Sequence, residues 1–137
     1  RDRFLNSRGK VSEGPGMCFF IVRDGIPITP SISNDILESV TRDAILHIIK
    51  DHFNVEPVER DIDRSELSLA DEAFFCGTAW EVTPILSIDR SNIGTGMIGN
   101  MTKSIQRKFF SICDGTDECY PEWRYAVYSD ETRKAAE

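Results

Sequence analysis

The unbroken apolar run Ala73-Phe74-Phe75-Cys76 is preceded by the acidic, helix-like Ser68-Leu69-Ala70-Asp71-Glu72 and closed by Gly77-Thr78. A short continuous run of this kind reads as a buried strand, and a buried strand must be covered by other elements. The strand ends on a small residue followed by a hydroxyl, an ending that lets a ligand approach the backbone closely. The chain then continues as Ala79-Trp80-Glu81-Val82-Thr83-Pro84-Ile85.

The flanking segments predict what does the covering. Arg3 to Asn6 reads as a short strand, and Lys10 to Glu13 as a second one, broken by Gly14-Pro15-Gly16. Cys18 to Arg23 is an apolar strand, Asp24-Gly25 a hairpin turn, and Ile26 to Thr29 the returning strand. A helix starting near Thr41 carries Ile45, Ile48, Ile49 and Phe53 on one face, joined by Ala44. Val55 to Ile62 contains proline and reads as an edge strand, followed by a short helix over Glu66 to Ala70. Glu81 to Ile88 reads as continuing extended. A last helix over Asn100 to Ile112 has Met101, Ile105, Phe109 and Ile112 as its apolar face and stops at Asp114-Gly115. Hairpins and crossovers together predict an α/β domain with a mixed sheet over 1–125 and a charged tail over 126–137.

A chain of 137 residues supports one domain with a true core. Its net charge of -7 argues against a nucleic-acid groove or an anionic membrane surface as partner. No apolar run approaches membrane-spanning length and no signal peptide is visible. Cys18, Cys76, Cys113 and Cys119 are scattered, with no zinc-like spacing, and read as reduced thiols of a cytoplasmic protein. His47 and His52 lie five residues apart, on different faces of a helix, so a shared metal is not expected. Asp61, Asp63 and Glu66 read as a solvated acidic cluster, as do Asp114, Asp117 and Glu118.

Three places can carry chemistry. Glu13 stands at an expected strand end before Gly14-Pro15-Gly16, where a carboxylate either faces a cleft or is simply solvated; the residue alone favours solvation. Val40-Thr41 opens the long helix, whose free N–H groups attract anions, though the residues alone favour an ordinary cap. Thr78 and Ala79 follow Gly77 as either a ligand-holding turn or a tight turn between core strands.

Taken together, Gly77-Thr78-Ala79-x-Glu81-Val82-Thr83-Pro84 resembles the corresponding segment of class IV pyridoxal-phosphate aminotransferases, most of all the branched-chain amino acid group. Glu13, Phe19-Phe20, Thr29, Leu37, Ser39-Val40 and Arg42 fall in register with that family, and Thr102-Lys103-Ser104-Ile105-Gln106-x-x-Phe109 resembles its late helix. The resemblance covers about Phe4 to Trp123. It departs at Met17 and Cys18, where the family has Glu and Asn, and at Trp80, where many members carry a small residue. Trp80 either narrows the side-chain pocket or packs in the core.

The resemblance implies the C-terminal domain of the D-amino acid aminotransferase-like fold, also called PLP fold type IV. It implies pyridoxal 5'-phosphate as cofactor, held by Glu13 at the pyridine nitrogen and by Val40, Thr41 and Thr78 at the phosphate. Gly16, Thr78 and Ala79 are the implied substrate contacts. Amino acid and 2-oxo acid substrates, a homodimer and a cytoplasmic location follow from the same likeness. The family's Schiff-base lysine lies a few dozen residues before the matched Glu, whereas only Lys10 precedes Glu13 here, so an N-terminal domain is expected to be missing and no catalytic residue is expected in this chain. The readings are therefore a fragment of a branched-chain aminotransferase, a D-amino acid aminotransferase or aminodeoxychorismate lyase of the same class, or a non-catalytic PLP-binding or assembly domain.

Overall fold

The computed structural model of the protein describes residues 4–127. Arg3 and most of the expected 126–137 tail lie outside the described residues. The architecture is α/β, built on a five-stranded mixed sheet in the order β3-β2-β1-β4-β5. The strands are β1 (Cys18–Arg23), β2 (Ile26–Thr29), β3 (Val58–Glu59), β4 (Glu72–Gly77) and β5 (Glu81–Pro84). All neighbours are antiparallel except β2 and β3, which run parallel across the crossover helix α1 (Val40–Phe53).

The central strands β1 and β4 are apolar on both faces because both faces are covered. On one side Phe20, Val22, Phe74, Cys76 and Val82 pack against Ile45 and Ile49 of α1 and Ile105 of α2 (Asn100–Asp114). On the other, Phe19, Ile21, Ile28 and Ala73 pack against Val11, Ile62, Leu67 and Ile93 from the connecting segments. Phe20 and Phe74 are directly opposed in register, and their rings stack at 4.9 Å with 5° between planes.

The expected hairpin at Asp24-Gly25 is present, with both residues at positive φ, 50° and 76°. Two expectations are corrected. Lys10 to Glu13 is not a strand: Val11 only bridges Leu5, Lys10 bridges Asp63, and Ser12 and Glu13 belong to the connection. Nor is 81–88 one extended run. The expected turn after Gly77 reverses the chain through 78–80 with Glu81 at φ 52°, and β5 returns antiparallel along β4. The 81–88 segment then breaks again into a small hairpin of β6 (Ser87–Ile88) and β7 (Ser91–Asn92). Repeated reversal leaves no period for sequence reading to follow, since turn geometry and not hydrophobicity sets it.

The expected short helix is a 3-10 helix over Arg64–Leu69, capped by Asp63 and Glu66 together. Helix α2 has no capping side chain of its own at Gly99; instead the Glu72 carboxylate accepts from the N–H groups of Met101 and Thr102 and from the Thr102 hydroxyl. This fixes α2 to β4 and places a negative charge at the positive end of its dipole.

Of the six acidic residues expected to be solvated, Glu118 is exposed and Asp114 accepts, among the described residues, only from Thr116 in its own turn, but the other four are partnered. Lys10 binds Asp63, Lys108 binds Asp117, and the Asn34 amide donates to Asp61. Glu66 is held by Arg60 and Arg23. The Arg60 guanidinium, with help from the Asp63 N–H and Arg23, holds the Glu66 carboxyl down to about 2. A depressed folded-state pKa stabilises above the unfolded value, and that contribution disappears as pH falls through the folded value. The wild type is therefore expected to lose more stability than Glu66→Gln between about pH 5 and pH 2. Urea midpoints across that range check this, and parallel losses in the two proteins would remove Glu66 from the role.

Candidate functional site

Four segments meet at one end of the sheet: the turn before β1, the end of β4, the loop entering α1, and the first turn of α1. Gly14 and Met17 exchange backbone hydrogen bonds, so 14–17 is a tight turn that delivers Cys18 into β1 directly after Glu13. Gly16 is exposed in it at φ 73°. The turn after β4 lies against it. A Cβ at Gly77 would stand 3.0 Å from the Gly16 carbonyl oxygen and 3.6 Å from Met17 Cα, so any larger residue would push the two turns a few tenths of an ångström apart.

Glu13 is half-buried, not merely solvated. Its Oε2 accepts the Leu37 N–H at 3.0 Å, and the Cys18 thiol faces the same oxygen at 3.8 Å. Cys18 also faces the Leu37 carbonyl at 3.8 Å. Leu37 thus ties the Glu13 turn to the loop entering α1, a link that sequence reading missed because a backbone N–H leaves no residue signature. The remaining carboxylate oxygen of Glu13 has no protein partner among the described residues and is available to a ligand.

Helix α1 begins one residue before the expected Thr41. Ser39 is its N-cap: its hydroxyl oxygen accepts the Arg42 N–H at 3.3 Å and its carbonyl accepts the Asp43 N–H. The Val40 and Thr41 N–H groups take no acceptor among the described residues. Val40 is 86% exposed. Arg42, only 5% exposed, anchors the start of the helix to the sheet by donating to the Pro30 carbonyl and pairing with Glu59. That buried guanidinium is spent on structure and is not free to hold a ligand.

In the turn after β4, Thr78 and Ala79 are exposed, and their N–H groups likewise have no acceptor among the described residues. Trp80 is not in the core. It is 43% exposed, with its ring tilted over Phe75 at 6.3 Å. The residues singled out in the sequence are therefore brought to one end of the sheet. Glu13 meets the α1 entry through Leu37, and Gly16 meets the Thr78 turn through Gly77. His47 and His52 lie apart from this site, exposed and edge-on to Trp123 and Tyr120 respectively. Among the described residues no group of three metal-ligating side chains forms.

Unpaired N–H groups at a helix start, more of them at a strand-end turn, and one carboxylate beside them give this α/β domain donors suited to an anion and an acceptor suited to a cationic or protonated group. The sequence model of the amino-transferase class IV family matches residues 4–88, and the chain belongs to that family. It is 47% identical over 124 residues to a probable branched-chain-amino-acid aminotransferase of Aquifex aeolicus, covering 90% of this chain and 40% of the relative. It is 42% identical over 123 residues to the branched-chain-amino-acid aminotransferase of Pseudomonas aeruginosa, covering 90% and 39%. Among solved structures, the branched-chain amino acid aminotransferase of Thermobaculum terrenum in its PLP form superposes with a TM-score of 0.89 at 45% identity, over 92% of this chain and 41% of that one. The chain thus spans about 40% of the length of the curated relatives it matches.

If Thr41 and Thr78 hold the cofactor phosphate, as the family resemblance implies, Thr41→Ala and Thr78→Ala are each expected to weaken retention of pyridoxal phosphate by about 1.5–3 kcal/mol, the worth of a hydroxyl donor to a charged group. Backbone donors remain, so binding survives, and both side chains are partly or fully exposed, so unfolding midpoints barely move. Fluorescence titration with the cofactor reads the first effect and urea denaturation the second. Wild-type retention in both variants would move the phosphate site elsewhere.

Proposed function

We propose that this chain is the cofactor-binding part of a PLP-dependent branched-chain amino acid aminotransferase, which moves the amino group of leucine, isoleucine or valine to 2-oxoglutarate. The observation that carries the reading is the convergence of Glu13, the open N–H groups of Val40 and Thr41, and the Thr78 turn in a chain 47% identical to a relative of that name.

The donors present fit the cofactor. The N–H groups of Val40 and Thr41 and the Thr41 hydroxyl suit a phosphate dianion at a helix start. Glu13 suits the pyridine nitrogen: fixed by the Leu37 N–H, its free oxygen holds a proton on that atom, as an opposite charge at close range favours the charged form. Pyridoxal phosphate, when bound, supplies an electron sink for the charge that develops at the amino acid's α-carbon. The N–H groups of Thr78 and Ala79, with Gly16 across from them, suit the substrate carboxylate, needing no counter-charge of their own.

We assign the lysine such chemistry needs to a part of the protein outside the described residues: Lys10, Lys50 and Lys108 pair with Asp63, Glu56 and Asp117, and Lys103 is exposed in the first turn of α2, away from Glu13 in sequence and element. The exposed apolar side chains of Leu37 and Val40 suit cover by that part. A homodimer and a cytoplasmic setting belong to the same reading, the latter in keeping with four unbridged cysteines.

Steady-state kinetics of the full-length protein with PLP and 2-oxoglutarate test the proposal. Leucine, isoleucine and valine are expected to differ modestly, about 1–3 kcal/mol per methylene, and all to exceed aspartate by far, because an unpaired buried charge is costly. Faster turnover of D-alanine than of L-leucine would favour the D-amino acid enzyme instead. Trp80→Ala is expected to broaden the accepted side chains if the indole borders the pocket.

A further inference from the structure

Cys18 and Cys76 are far apart in sequence but directly opposed in the β1–β4 ladder. Directly opposed residues of an antiparallel pair project to the same face, with Cα atoms about 4.5–5.5 Å apart, inside the roughly 4.4–6.8 Å over which disulfides form. Both thiols lie in the core layer under α1 and α2, 3% and 0% exposed, and both are free. They also stand at the ends of their strands that face the site. Glu13 Oε2 is 3.8 Å from the Cys18 sulfur, and Gly77-Thr78 follows Cys76 immediately.

We propose that Cys18 and Cys76 are a redox-modification site, a dithiol that closes to a cross-strand disulfide under hydrogen peroxide and pins together the two turns carrying Glu13 and Thr78. The two sulfurs are unequal. Cys18 lies beside Glu13 and the loop entering α1 and keeps slight exposure, whereas Cys76 has none, so peroxide reaches Cys18 first and Cys18 is the attacking sulfur; the neighbouring Cys76 and Ser39 lower its thiol against burial and the Glu13 carboxylate, which raise it. The Cys18 thiolate attacks one peroxide oxygen, breaks the O–O bond and becomes a sulfenic acid, the departing oxygen leaving as water. The Cys76 sulfur then attacks Cys18, its proton passing to the departing hydroxyl, and a second water leaves. The two thiols lose two protons and two electrons; the peroxide is reduced to two waters. Once closed, the Cys18 sulfur has no proton to direct at Glu13. The bond itself needs only the ladder register; its bearing on cofactor binding rests on the function proposed above.

The test is peptide mapping of the full-length protein, exposed to graded hydrogen peroxide, quenched with iodoacetamide under denaturing conditions, and digested with trypsin. The expected product joins the Val11–Arg23 and Ser65–Arg90 peptides with loss of two hydrogens, disappears with dithiothreitol, and is absent from Cys76→Ala. Loss of iodoacetamide labelling at Cys18 and Cys76 together accompanies it. Full labelling of both after peroxide has consumed the exposed Cys113 would overturn the proposal, as would pairing of Cys18 with Cys113 or Cys119 in place of Cys76. The readout is a mass and requires neither PLP nor turnover, so a failure of the aminotransferase reading shows in the kinetics alone.

Discussion

Glu13→Gln in the full-length protein is expected to lower turnover by about 100-fold or more, close to 3 kcal/mol of barrier, with folding unchanged. The amide oxygen of glutamine can still accept the Leu37 N–H, so the turn and the loop entering α1 stay joined. What is lost is the negative charge, and a neutral amide cannot hold a proton on the pyridine nitrogen as a carboxylate does. Circular dichroism and the urea midpoint report the fold, and kcat with L-leucine reports the chemistry. Near-normal turnover in a well-folded variant would take Glu13 out of the site.

Phe20→Ala is expected to cost about 3–5 kcal/mol of stability, against about 5–15 kcal/mol for a whole domain. Phe20 is fully buried, stacked on Phe74 and enclosed by both helices, so the space it leaves cannot collapse without moving β1. The urea midpoint should fall sharply with little change in slope. Trp80→Ala makes the contrast: that ring is 43% exposed, and its loss should cost well under half as much despite its greater size. Equal costs for the two would mean the layer between sheet and helices is not the main core.

These two residues were not equally legible in the sequence. Phe20 lies in a six-residue apolar run, Met17 to Val22, and its burial follows from the run alone. Glu13 was recognisable only through the family pattern; its residue type and neighbours favoured a solvated carboxylate. The partner that refutes solvation is a backbone N–H 24 residues further on, and nothing in the side chains at 36–38 announces it. Glu72 is a similar case. It reads as part of an acidic, helix-like segment, yet it lies in β4 and caps a helix beginning 28 residues later.

Local sequence was enough for β1, β4, the Asp24-Gly25 hairpin, the turn after Gly77, the buried faces of α1 and α2, and the glycine stop at Gly115, because each depends on neighbours within a few residues: apolar runs, helical spacing, positive φ. The pairing of β5 with β4, the ion pairs of the acidic segments, the closure of Glu13 on Leu37, and the meeting of Cys18 with Cys76 came only from the packed fold. Strand register is set by how whole faces pack, and a slip of one residue would turn both cysteines to the other face of the sheet without altering a single local preference.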